Sequence, residues 1–225
     1  MRKLLTAAVC CVALQLMVSA QDLRIRFERT EGKETATYTE CIAYYQMLDK
    51  RFPQIKLLEM GPTDAGYRVH LAVYSNDGDS DFNSLRKKDK RIILINNGIH
   101  PGEPDGIDAS MQLLRDLAQG KRKLPDNIVL AVIPVYNIGG ALNRSTDFRP
   151  DQNGPDAFGS RGNAQNLDLN RDFIKADSRN ARSFQEIFQL TDPDVFIDNH
   201  VSNGADYQHV MTLLSTQYGK LGGAM

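Results

Sequence analysis

The chain has no excess of charge of either sign: 27 lysines and arginines meet 28 aspartates and glutamates, a formal net charge of −1 over 225 residues. That balance leaves no electrostatic footprint for a nucleic acid or an anionic membrane surface, so neither is an expected partner. Thiols are scarce as well. Cys10 and Cys11 lie in the N-terminal twenty residues, and Cys41 stands alone downstream. A lone thiol excludes an internal disulfide there and reads as a buried structural residue, not as a nucleophile. The one markedly apolar run is short of the about 20 residues that a membrane span needs. Internal repeats, low-complexity segments and an obvious linker to a second domain are also missing from the sequence. What is there is an apolar fraction of 41%, which excludes a largely disordered chain and suits one sizeable domain with a real core.

The short apolar run occupies residues 4–18, after Arg2 and Lys3 and before Val18-Ser19-Ala20. A basic start, an apolar middle and small residues at the end form the layout of a secretory signal peptide, here cleaved after Ala20. The expected organisation is a signal peptide over 1–20 and a single domain over 21–225. The expected product is exported to the periplasm or the extracellular space, with no membrane span after cleavage.

Hydrophobic periodicity divides the rest of the chain. Strands are expected at 23–27, 55–60 and 67–74, the last two split by the turn-rich Gly61-Pro62-Thr63-Asp64-Ala65-Gly66. Nearly continuous apolar runs at 91–96, 127–135 and 194–199 suit central strands covered on both faces, and 209–215 reads as a further strand. Helical spacing appears at 37–50, 105–119 and 179–190, with Gly120 ending the second of these. Residues 76–90 read as a loop or hairpin end, and 137–165 as one long loop of the kind that is functional or disordered. Strands alternating with helices predict an α/β domain with a mixed, mostly parallel twisted sheet and helices on both faces.

The local feature richest in chemistry is Asn97-Gly98-Ile99-His100-Pro101-Gly102-Glu103, where an apolar strand gives way to a helix. His-x-x-Glu across such a turn directs an imidazole nitrogen and a carboxylate at one point, and zinc accepts both. A third ligand is needed, and His200 follows another apolar strand. Ligands at the carboxyl ends of parallel strands converge in the crevice where such sheets bind their ligands. Of the four histidines, His70 and His209 lack comparable settings and read as structural. In Asn166-Leu167-Asp168-Leu169-Asn170-Arg171-Asp172-Phe173, polar residues alternate with leucines, so Asp168 and Asn170 share a face of an extended segment. Asp168 is placed to take the free ring N–H of His100. Asn170 and Arg171 suit an anionic substrate end, and Arg161 is a cation able to polarise a scissile carbonyl.

Taken in order, His100-Pro101-Gly102-Glu103, Asn170-Arg171 and His200 resemble the pattern of the zinc carboxypeptidase family. The stretches Asp168-Leu169-Asn170-Arg171-Asp172-Phe173 and His200-Val201-Ser202-Asn203-Gly204-Ala205-Asp206-Tyr207 look much like bacterial members, and the resemblance runs from about Tyr38 to the C-terminus. It implies a mixed eight-stranded sheet with helices on both faces. It also implies one zinc per chain on His100, Glu103 and His200, carbonyl polarisation by Arg161, binding of the substrate's terminal carboxylate by Asn170 and Arg171, and orientation of His100 by Asp168. The implied substrate is a peptide with a free C-terminal carboxylate, hydrolysed at its last bond.

One departure is large. The family's general base is a glutamate near the end of the domain, beyond the third zinc ligand, whereas here no glutamate follows Glu186 and Asp206 is the one acidic residue past His200. The sequence therefore reads as a domain lacking its last part, expected to bind zinc but to show little or no peptidase activity by itself. Two other functions fit the same residues. One is an aspartoacylase-type hydrolase of N-acyl amino acids, which shares the zinc ligands and a similar Asp-Leu-Asn-Arg run. The other is a zinc- or peptide-binding module without catalysis.

Overall fold

The computed structural model describes residues 22–202 and residue 220. Its centre is a five-stranded sheet of β1 (Ile55–Pro62), β2 (Arg68–Tyr74), β3 (Arg91–Asn96), β4 (Ile128–Ile133) and β7 (Val195–Asp198), in the order β1-β2-β4-β3-β7. β2 pairs antiparallel with β1 and with β4, while β3 lies parallel between β4 and β7. The sheet is therefore mixed, with β2 running against the other four strands.

Period-two alternation sorts the strand side chains onto two faces. Ala72, Tyr74, Ile95, Leu130 and Val132 pack with α2 (Tyr38–Arg51) and α4 (Asp105–Ala118). Leu71, Val73, Ile92, Leu94, Val129 and Ala131 pack on the other side with α3 (Phe82–Lys87) and α6 (Arg179–Thr191). Helices thus cover both faces, and β2, β3 and β4 are apolar on both because each is buried twice over.

Local chemistry sets the helix ends. Thr37 and Glu40 form a reciprocal capping box at the start of α2, whose buried stripe is Cys41, Ile42, Tyr45 and Leu48. Burial pushes the Cys41 thiol far above its ordinary pKa, as expected of an inert core residue. Ser178 caps α6 by accepting from the Ala181 N–H at 3.0 Å, and is itself held by buried Asp172, which accepts from the Ser178 N–H and hydroxyl. Just before α6, Phe173 packs on Phe184 and Phe196, with ring centroids 4.9 and 6.3 Å away.

Several expectations need correction. Residues 23–27 form no strand: Leu23 and Ile25 are buried, but the chain turns into α1 (Arg26–Arg29), because Glu28 accepts from the Ile25 N–H at 2.8 Å and Tyr44 and Arg115 occupy the Leu23 carbonyl. The polar segment 76–90 contains α3, started by Asp81, which accepts from the Ser84 N–H, and anchored by buried Phe82 and Leu85. The segment 137–165 contains α5 (Ile138–Leu142), capped by Asn137, and a small ribbon of β5 (Arg144–Ser145) with β6 (Phe158–Gly159). β7 is not central among the described residues but an edge strand, with Val195 and Ile197 40–48% exposed. An apolar run alone thus fixes neither the burial of its side chains nor which strand lies next door. The expected strand at 209–215, His209 and the signal peptide fall outside the described residues.

Two glycines fix the route into the β3–α4 turn. Gly98 has φ +64°, a left-handed conformation that other residues resist. Gly159 lies so close to that turn that a Cβ there would sit 2.5 Å from Pro101 Cβ and 2.6 Å from the Gly140 carbonyl oxygen. Gly159→Ala should therefore lower stability by about 1–3 kcal/mol, since backbone and not a flexible side chain must yield. Urea unfolding of the two proteins measures this directly.

Candidate metal centre

β3 and β7 run parallel with Asn96 opposite Asp198, so both strands stop at the same level of the sheet. The chain leaves β3 through Gly98 to His100, and a turn closed by the Glu103 N–H on the His100 carbonyl at 2.8 Å brings Glu103 alongside. Two residues past β7 stands His200. One ligand atom from each of His100, Glu103 and His200 lies within 4.8 Å of the others. The three residues that the sequence singled out as ligands are thus brought together, although the last is 97 positions from the second.

Glu103 is the hub. His100 Nδ1 lies 3.2 Å from Oε1, and His200 Nδ1 lies 3.0 Å from Oε2. The Val201 N–H donates to Oε2 at 3.0 Å and Arg149 Nη1 to Oε1 at 2.6 Å. Burial (Glu103 is 3% exposed) works against ionisation, but these four contacts outweigh it and hold the carboxyl well below its usual pKa. For His200, the Asp198 carboxylate is the largest influence and Glu103 the next; together they overcome desolvation and push the imidazole up to about 9.

Both rings have the same orientation. Nδ1 faces Glu103, while Nε2 meets a carboxylate at 3.0 Å: Asp168 for His100 and Asp198 for His200. Asp168 also takes Arg161 through Nε and Nη2, each at 3.0 Å, and Arg161 Nη1 lies 3.4 Å from His100 Nδ1. Burial opposes ionisation of Asp168, and the His100, Asn170 N–H and Arg161 contacts override it, so its pKa is lowered.

Residues 166–173 are not the extended segment that their alternation suggested. Asp168 Oδ1 accepts from the Asn170 N–H at 3.0 Å and starts a 3-10 helix, Leu169–Arg171, because a short acceptor side chain offers the backbone a turn in place of a strand. Asn170 is therefore tied to the carboxylate that holds His100. Arg171 is exposed, with Nη1 on the Asn170 carbonyl at 2.9 Å. His70 sits in β2, outside the metal group. Between the Arg149 loop and Arg161 lies a cavity of about 230 Å³, lined also by Gly102, Phe148, Asp151 and Gln152.

Sequence reasoning missed two of these residues. Asp198 was legible: it lies two before His200 at a strand end, a spacing that puts both side chains on one face. Arg149 carried no such signal, since it arrives from a loop whose course is set by tertiary contacts.

The donor set fits a zinc ion. Two imidazoles and one carboxylate are an established catalytic zinc set, and ligands at about 2.0–2.1 Å around a tetrahedral ion stand roughly 3.3 Å apart. The N···O separations of 3.0 and 3.2 Å already approach that.

Comparison with known proteins defines the class. The zinc carboxypeptidase family model matches residues 41–209, three quarters of the sequence, and the chain belongs to that family. Among curated proteins it is similar to Carboxypeptidase 2 of Trichophyton tonsurans, 29% identical over 114 residues, which are 49% of this chain and 18% of the relative. Among solved structures it resembles carboxypeptidase A from Helicoverpa armigera, at a TM-score of 0.59 and 18% identity over 88% of this chain and 53% of that one. It also resembles a metallo-carboxypeptidase from Pseudomonas aeruginosa in complex with (2-guanidinoethylmercapto)succinic acid, at 0.53 and 20% over 73% and 40%. At these identities the structures establish the fold. The chain spans about half the length of the solved structures and under a fifth of the curated relative.

A pH dependence follows from the raised pKa of His200. Below about 9 its imidazole carries a proton that a cation must displace, so affinity for a divalent metal should rise about tenfold per pH unit toward 9 and then level off. Chelator-competition titrations between pH 6 and pH 9.5 measure the slope.

Proposed function

We propose that the chain supplies the metal-binding and carboxylate-recognising part of an exported zinc carboxypeptidase that removes C-terminal residues from peptides. The observation that carries this reading is the meeting of His100, Glu103 and His200 at the ends of two parallel strands. In the proposed assignment these three hold one zinc per chain. A zinc ion there would supply a Lewis acid and lower the pKa of a bound water.

The remaining roles belong to the chain's own residues. Arg161, fixed by two contacts to Asp168 at the edge of the metal group, stabilises the developing oxyanion of the scissile carbonyl. Asn170 and Arg171 seat the terminal carboxylate of the substrate, where the planar guanidinium fork matches a carboxylate. Asp168 orients His100 and starts the turn that presents Asn170. The Pseudomonas aeruginosa protein in complex with a guanidino-bearing succinic acid adds support, because a succinate carries the carboxylates such a seat would take.

The general base is proposed to be a glutamate outside these 225 residues, since none follows Glu186. Three outcomes separate the readings. A longer polypeptide that carries such a glutamate should hydrolyse a short peptide faster than an N-acyl amino acid. The reverse order would indicate the aspartoacylase-type reaction, and peptide binding without turnover would indicate a non-catalytic module. In the active form, Arg161→Ala should lower kcat by about 100–1000-fold, the usual cost of losing one oxyanion donor. The 225-residue polypeptide should bind zinc with little turnover. Export is tested by N-terminal sequencing of the secreted protein, which should begin at Gln21.

A further inference from the structure

The two histidines of the metal group are secured by different means. His100 is 2% exposed, so packing already restricts its ring, and Asp168, which meets its Nε2, also carries Arg161. The His200 side chain is 33% exposed, and its Nε2 meets Asp198 at 3.0 Å. An imidazole that packing does not enclose can turn over about its Cβ–Cγ bond, which exchanges Nδ1 with a carbon and presents the wrong edge to the site.

Asp198 is itself held. It closes β7 opposite Asn96, the last residue of β3, and Asn96 Nδ2 donates to Asp198 Oδ1 at 2.9 Å from a fully buried position. One residue on, Asn199 Nδ2 donates to Asn97 Oδ1 at 2.7 Å, and Asn97 Nδ2 donates to Ser110 of α4 at 2.9 Å. These two rungs pin the end of β7 to the end of β3 and leave the free oxygen of Asp198 aimed at the ring. We infer that Asp198, anchored by Asn96, is a positioning residue that fixes His200 with Nδ1 toward the cation and Nε2–H on the carboxylate. This inference rests on the zinc reading above.

A carboxylate on the far nitrogen sets the tautomer and raises the donor strength of the near one, and losing such a partner typically weakens metal binding by about 10–100-fold. The test is zinc titration of the full chain against a competing chelator at fixed pH, for the wild type, Asp198→Ala and Asp198→Asn. Urea unfolding of the zinc-free proteins runs beside it. Asp198→Ala should bind zinc about 10–100-fold more weakly without a matching loss of zinc-free stability, and Asp198→Asn should recover part of the affinity, because an amide oxygen still accepts from Nε2–H. Unchanged affinity in Asp198→Ala, or an asparagine variant no better than the alanine one, overturns the inference.

If Asp198→Ala does not fold, long-range 15N–1H spectra of the zinc-loaded wild type and Asp198→Asn decide. The His200 Nε2–H should exchange with water more slowly in the wild type, and equal exchange overturns the inference. A wild type that takes up no zinc in the same titration overturns the zinc reading itself, a result distinct from failure of Asp198 alone.

Discussion

The parallel pairing of β3 with β7 is the constraint on which the site depends. Four residue pairs, from Ile93 with Val195 to Asn96 with Asp198, set the level at which both strands end. A slip of one residue would turn Asp198 to the other face and carry His200 away from Glu103. Bringing residue 200 back to residue 103 also closes a loop of some hundred residues, an entropic cost of roughly 4 kcal/mol for a flexible chain. The sheet and its two apolar layers meet that cost, so the strand ends hold the donor atoms together.

Gathering these donors creates an electrostatic problem that the neighbouring residues resolve. A carboxylate as deeply buried as Glu103 is unfavourable unless it is paired and hydrogen-bonded. Two imidazoles, a guanidinium and a backbone N–H share it, so the negative charge is maintained in the fold itself. Each imidazole then has a second carboxylate behind it. The result is an alternation of anion and base across the crevice, Asp168, His100, Glu103, His200 and Asp198, in which every ring nitrogen has a defined partner.

How much of this was legible depended on whether a signal was local. β3, β4 and the stripes of α2, α4 and α6 follow directly from apolar periodicity, and the three donors of the metal group could be read because each stands just past an apolar run. The β1–β2 hairpin was equally plain, although Gly61 and Pro62 end β1 and the turn follows from Thr63. The segment at 166–173 was misread because a polar–leucine alternation describes a strand and a tight turn equally well; the Asp168 carboxylate decides between them through a backbone N–H. Leu23 and Ile25 alternate as strand residues do, yet among the described residues they join no strand, and two side chains cap the Leu23 carbonyl instead. Arg149 illustrates the harder case, in which a functional neighbour is delivered by a loop whose path exists only in three dimensions.

The aromatic contacts of Phe173 have a mechanical consequence. Phe173 directly follows the turn that carries Asn170 and Arg171, and its ring rests on Phe184 of α6 and on Phe196 in the middle of β7. The same rings therefore brace the segment proposed to seat a carboxylate and the strand that delivers His200. The two cannot drift independently, because a shift in one is transmitted through the other's hydrophobic footing. Whatever loosens α6 would thus blur the spacing between the proposed carboxylate seat and the metal group, a distance footed on phenylalanine rings.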